Sequence, residues 1–193
     1  MTVGLTGGIG SGKTTVARLM ETMGCVLYDS DSRAKELYDH PVIREQVTGL
    51  LGNPAYHDNG TLNRAHVSAK VFSDPELLKQ LNAIVHPALK TDFEAFAARF
   101  AKQIVVKESA ILFETGIYRD LQLNILVTAP IEQKIQRVML RNALSRQEVE
   151  KRMEAQWSDE QKKPLADYLI GNADNEALTP QVLHVVNELR KQC

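Results

Sequence analysis

Near the start of the chain, Gly7, Gly8, Gly10 and Gly12 lead into Lys13 and Thr14 and satisfy G-x-x-x-x-G-K-[ST]. Such glycines tolerate positive φ and carry no Cβ, so the backbone N–H groups of residues 7–15 can turn inward around a phosphate at a helix N-terminus. The stretch therefore predicts a polyphosphate cradle built from Gly8, Gly10, Ser11, Gly12, Lys13, Thr14 and Thr15. Lys13 would reach the β- and γ-phosphates, and the Thr14 hydroxyl would be the protein ligand of a phosphate-bound Mg²⁺.

Further candidates follow along the chain. Asp29-Ser30-Asp31 closes a short apolar run, Cys25 to Asp29, where open α/β sheets place their ligands. An Asp there can accept the proton of an attacking hydroxyl or hold a metal water. Capping the next helix near Arg33 is the alternative, and Asp31, projecting beyond the strand, is the stronger base candidate. Glu108 ends another apolar run and reads equally as a neighbour of the metal or as a solvated strand end. From Ile131 to Gln156, six basic residues outnumber four acidic ones. That pattern fits a solvated helical hairpin, or a lid whose Arg137 and Arg141 close over nucleotide phosphates. Ser145 and Glu148 predict a capping box at its second helix. Asn172 to Asn175 are placed beside the base.

The elements that must hold these groups are strands at 2–6, 25–29, 103–108, 123–128 and 166–172. Helices follow the phosphate loop and close the chain, the last capped and opened by Thr179-Pro180. Between about Ser32 and Phe100 the pattern is helical (Ser32–Tyr38, Pro41–Leu51, Arg64–Phe72, Pro75 onward), an insertion between the second and third strands. Pro87 should break or kink its last helix beside His86. From residue type alone, His86 reads as structural or as a substrate contact. Trp157 reads as packing, Cys25 as a small buried hydrophobe and Cys193 as a frayed terminal thiol.

Composition sets limits. A 193-residue chain that is 44% hydrophobic and 24% charged suits one soluble α/β domain with an insertion. Net charge −1 argues against bulk nucleic-acid binding, and two cysteines without ligand spacing argue against a disulfide framework or zinc site. No run approaches the roughly 20 apolar residues of a membrane span. A phosphate loop so close to Met1 leaves no room for a signal peptide, so a cytoplasmic location is expected.

Together these residues resemble the dephospho-coenzyme A kinase family. The likeness rests on Thr6 to Lys13, Asp29-Ser30-Asp31, Asp58-Asn59-Gly60-Thr61-Leu62-Asn63-Arg64, Val71-Phe72 and Leu81 to Pro87. It continues through Leu112-Phe113-Glu114, Gln133 with Arg137 and Arg141, Arg152 with Gln156, and Ala166 to Ile170 with Asn172. It implies a P-loop NTPase fold, a five-stranded parallel sheet flanked by helices. The core would be 1–31, 103–130 and 165–193, with a helical acceptor lobe at 32–102 and a lid at 131–164. It implies transfer of the γ-phosphoryl of ATP to the 3′-hydroxyl of dephospho-coenzyme A. Lys13, Asp31 and Arg141 would be catalytic, Arg137 and Asn172 would join the nucleotide site, and Asp29, Asp31, His86 and Phe113 would meet the acceptor. No nucleic acid, membrane or obligate protein partner is expected. Thr14 stands where the family usually has Ser, Ala110-Ile111 where it has Pro-Leu, and Ser30 where it has Ala.

A different phosphate-loop kinase would share the core but not Asp58-Asn59-Gly60 or His86-Pro87. A GTP-dependent switch would carry Asn-Lys-x-Asp, which is missing here.

Overall fold

The computed structural model describes residues 1–192, so Cys193 lies outside the described residues. The chain divides into two compact units. Met1–Asp29 and the chain from Arg99 onward form the first, and Ser30–Ala98 forms the second.

The first unit is built on five parallel strands: β1 (Thr2–Thr6), β2 (Val26–Asp29), β3 (Val105–Glu108), β4 (Leu123–Thr128) and β5 (Tyr168–Gly171). Their spatial order is β2-β3-β1-β4-β5. Short apolar runs of this kind suit a parallel sheet covered on both faces. Beneath one face, Val3, Leu5, Val106, Ile125 and Val127 bury against α1 (Lys13–Thr22) and α9 (Leu178–Arg190) through Val16, Ala17, Met20, Val182, Val186 and Leu189. Each such Val, Leu, Ile or Met side chain contributes roughly 1.5–3 kcal/mol by leaving water. Gly4 faces the other side, where an added Cβ would lie 2.5 Å from the Leu112 side chain and 2.6 Å from Asn124 Oδ1. A bare backbone there lets the 110–121 segment pack down on the sheet.

The remaining helices of this unit are α6 (Ile131–Asn142), α7 (Arg146–Glu154) and α8 (Asp159–Lys162), numbered in chain order after those of the second unit. The capping box expected at α7 forms, with the Ser145 side chain accepting from Glu148 N and the Glu148 carboxylate accepting from Ser145 N at 2.8 Å. Three sequence expectations shift. β3 starts at Val105, since residues 101–103 form a turn before it. β5 is only Tyr168–Gly171: Asp167 turns its carboxylate onto Asn124 N at 2.7 Å, and Asn172, whose N still bonds Thr128 O at 2.8 Å, turns its side chain to the phosphate loop. Thr179 does not cap α9: the helix begins at Leu178 after Ala177, with no side-chain cap bond.

The second unit holds α2 (Ser30–Leu37), α3 (Pro41–Leu51), α4 (Arg64–Phe72) and α5 (Pro75–Arg99). Its core is Ile43, Val47, Leu51, Ala55, Val67, Val71, Leu81 and Val85. Pro41 opens α3 at a position where its missing N–H costs nothing. Asn63 caps α4 by accepting from His66 N at 3.2 Å. A bridge between Tyr56 and Leu62 closes the loop before α4, and Arg44 lies over the Tyr56 ring while donating to Gly60 O. Pro87 does not break α5, which runs through it. Buried Leu81, Val85, Leu89 and Phe93 recur every fourth residue on both sides of the proline, and that packed stripe outweighs the lost backbone bond. α2 begins at Ser30, directly after β2. Ser30 and Asp31 therefore occupy its first turn instead of preceding it as caps.

Candidate active site

The phosphate loop sits beyond the carboxyl ends of the strands, between β1 and α1. Gly10 (φ 81°) and Gly12 (φ 89°) are left-handed, a conformation L side chains rarely adopt. A Cβ on Gly12 would overlap the Asn172 side-chain amide, and one on Gly10 would overlap the Lys134 carbonyl. Both glycines are thus required by close approach as well as by φ. Asn172 Nδ2 donates to Ser11 O at 2.8 Å, which seats the loop against the end of β5.

The loop is primed for an anion. Gly12 begins α1 without any side-chain cap, and the N–H groups of Gly10, Gly12, Lys13 and Thr14 meet no acceptor among the described residues. Open N–H donors at a helix N-terminus are what phosphate binding requires. Ser11 is fully buried, and its hydroxyl has no hydrogen-bond partner among the described residues. Thr15 is exposed on the next position of the same turn.

Lys13 Nζ lies 2.6 Å from Glu108 Oε1, and Thr14 Oγ1 donates to the same oxygen at 3.0 Å. Glu108 is only 6% exposed, so the strand-end carboxylate is not solvated but turned into the cradle. β2 pairs with β3 so that Asp29 stands beside Glu108 in register. Glu108 is the residue whose role sequence reasoning left open; its position on β3 was the available signal.

Arg137 and Asn172 meet at the other flank. Arg137 Nη2 donates to Asn172 O at 2.9 Å and to Asp174 Oδ1 at 2.6 Å, while its Nη1 is buried with no partner among the described residues. Arg141, at the end of α6, is exposed and bonds Asn142 at 3.0 Å; in this conformation it is not gathered onto the loop. Phe113 is 1% exposed and edge-on to Tyr118, so its ring reaches an acceptor only if the 110–116 turn rearranges. Asp31, exposed in the first turn of α2, and His86, half-buried on α5, belong to the second unit.

The sequence does not show the roles of two groups. Lys134 reads from the sequence as part of a basic helix face, yet it is buried and paired with Asp159 at 2.5 Å. Gln156 Oε1 accepts from Ile9 N at 2.9 Å, which ties the tip of the phosphate loop to the segment after α7. A cleft of about 940 Å³ lies beside that tip, lined by Gly8, Ile9, Lys134, Trp157 and Glu176 among others. Trp157 is 41% exposed, not packed away as expected. The α6–α7 hairpin is clasped by Arg146, which binds Glu132 at 2.6 and 2.8 Å and Glu150 at 2.7 Å. Hydrogen bonds from Arg146 hold the Glu132 carboxyl below its ordinary range, and those from Ser145 do the same for Glu148.

The model of the dephospho-CoA kinase family matches residues 1–177. The chain is 41% identical over 192 residues to the dephospho-CoA kinase of Porphyromonas gingivalis, covering 98% of this chain and 95% of that one. A solved Thermus thermophilus protein superposes with a TM-score of 0.88 at 35% identity, over 98% of this chain and 97% of that one. In fold, the chain is also similar to the dephospho-CoA kinase of Campylobacter jejuni, with a TM-score of 0.74 at 22% identity over 99% and 98% of the two chains.

Proposed function

The chain belongs to the dephospho-CoA kinase family, a family of kinases that phosphorylate an alcohol group, and on that premise we propose how its own residues divide the work. The reaction is transfer of the γ-phosphoryl of ATP to dephospho-coenzyme A, the last step of coenzyme A synthesis. The observation that carries our assignment is the cradle itself: four open N–H groups, with Lys13 and Thr14 converging on Glu108.

In this reading the triphosphate of ATP enters the cradle, and Lys13 exchanges its contact with Glu108 for the β- and γ-phosphates. The hard oxygens of Thr14 and Glu108, already 3.0 Å apart, fit Mg²⁺ and would hold it. When bound, Mg²⁺ neutralises phosphate charge. The ribose 3′-oxygen of the acceptor forms its bond to the γ-phosphorus as the bond to the β,γ-bridging oxygen breaks, and ADP departs. Asp31 takes the hydroxyl proton, aided by Asp29 in orienting the acceptor. Residues 30–98 act as the acceptor lobe, with His86 among its contacts, and Phe113 joins them after movement of its turn. Residues 131–164 act as a lid: Arg137 lies against the base and Arg141 swings onto the transferring group.

Two small molecules, ATP and dephospho-coenzyme A, suffice for this chemistry, without nucleic acid or an obligate protein partner, and we place it in the cytoplasm. No helix of the described residues is long and apolar enough to cross a membrane. The test is ADP release with ATP and Mg²⁺, comparing dephospho-coenzyme A with adenosine, AMP and small hydroxylated metabolites, and weighing the product for one added phosphate at the 3′ position. Selective turnover of dephospho-coenzyme A is expected. Turnover of another acceptor instead would overturn the assignment of the acceptor lobe.

A further inference from the structure

Seven residues after α7 touch three separate pieces of the candidate site. At one end, Gln156 Oε1 holds Ile9 N of the phosphate loop at 2.9 Å. In the middle, Asp159 pairs with Lys134 of α6 at 2.5 Å, and the backbone of Lys134 is what presses against Gly10. At the other end, Lys162 is fully buried, with Nζ 2.8 Å from Glu114 Oε1 and 3.2 Å from Ala110 O, both in the turn that carries Phe113. Glu114 Oε1 also accepts from Trp157 N at 3.0 Å. A second capping box, Ser158 with Gln161, fixes α8 between these anchors.

Two buried ion pairs within so short a stretch are a poor route to stability. Removing two charges from water costs about as much as their attraction returns, and an apolar pair of similar size is often as stable. What such pairs do supply is geometry, because each fixes one partner against the other. We propose that residues 156–162 are a positioning bracket that sets the phosphate loop, α6 and the 110–116 turn in mutual register, with Lys162 and Gln156 as its two positioning residues. The inference rests on the phosphoryl-transfer reading of the loop. Displacement of a catalytic piece by about 1 Å can cost roughly a hundredfold in rate, so register is worth fixing.

The bracket predicts an effect at a distance, since Lys162 anchors the 110–116 turn at the opposite end of the segment from the phosphate-loop contact. Lys162→Met alone strands the Glu114 charge and should lower Tm by roughly 10 °C. The charge-balanced double variant Lys162→Met/Glu114→Gln keeps an acceptor for Trp157 N and should regain most of that Tm. It should still show kcat reduced by roughly tenfold to a hundredfold, together with faster amide hydrogen exchange at Ile9 and Ser11, the bonded amides of the loop. Gln156→Ala, at a half-buried site, should reciprocally speed exchange at residues 110–116. Parental kcat in the double variant, or exchange changes confined to whichever segment lost its own contact, would overturn the bracket. A parent chain inactive on dephospho-coenzyme A would instead sink the functional reading, and the exchange comparison would still decide the bracket.

Discussion

Lys13 and Thr14 share one acceptor, Glu108 Oε1. In the proposed mechanism the same oxygen serves Mg²⁺, so the resting contact would compete with nucleotide. Lys13→Ala removes a charge from the phosphates and should weaken nucleotide binding and turnover together, as read by nucleotide titration and initial rates; unchanged values would take Lys13 out of the cradle. Glu108→Gln should raise the Mg²⁺ concentration needed for half-maximal rate while leaving the fold intact, since the amide can still accept from Thr14. A rate-against-Mg²⁺ curve that superimposes on the parent's would reduce Glu108 to a resting partner of Lys13. Asp31 makes a different prediction. If Asp31 handles the proton as proposed, Asp31→Asn should leave the Kd for ATP near the parental value and lower kcat by about 10²–10⁴-fold. Normal turnover would leave it only a first-turn residue of α2.

At the scale of elements, the α6–α7 hairpin carries Arg137 and Arg141, and its second helix depends on the Ser145–Glu148 capping box. Ser145→Ala should cost about 1 kcal/mol of helix stability, seen as fraying of α7 by hydrogen exchange. The box also sets a pH dependence. The Ser145 hydroxyl and N–H hold the Glu148 carboxyl below its ordinary value of 4.5, so its contribution is complete above that value and fades as pH falls through the folded one. Fraying of α7 should accordingly rise in acid in the parent, while in Ser145→Ala it should be present already near neutrality and change less with pH. Equal pH dependence in both chains would show that the box does not govern the helix. The exposed Arg146 clasp is a weaker support, because solvent and salt screen such pairs.

Over the whole molecule, what was legible in the sequence follows the range of the interaction. The phosphate loop and the α7 cap rest on contacts a few residues apart, and each strand shows as a short apolar run even though its ladder partner lies far along the chain. Lys134 shows the opposite: it shares a helix face with Arg137 and Arg141 and looks like a third lid cation, but Asp159, 25 positions on, returns to bury it. Lys162 and Glu114 meet for the same reason, through a chain path no local pattern records. No break occurs at Pro87: its effect on one backbone bond is local, whereas the buried stripe from Leu81 to Phe93 packs on both sides of it. The division into two units has the largest consequence. Residues 30–98 carry a core of their own, so they should open as a cooperative block below the free energy of global unfolding. Amide exchange should then show two tiers, α3 and α4 in the lower and β1, β3 and β4 in the upper. If residues 30–98 bind the acceptor, dephospho-coenzyme A at about a hundred times its Kd should raise the lower tier by about 2.7 kcal/mol, and ATP alone should leave it unmoved. Protection that appears only in β1 and α1 would assign the acceptor to the nucleotide unit instead.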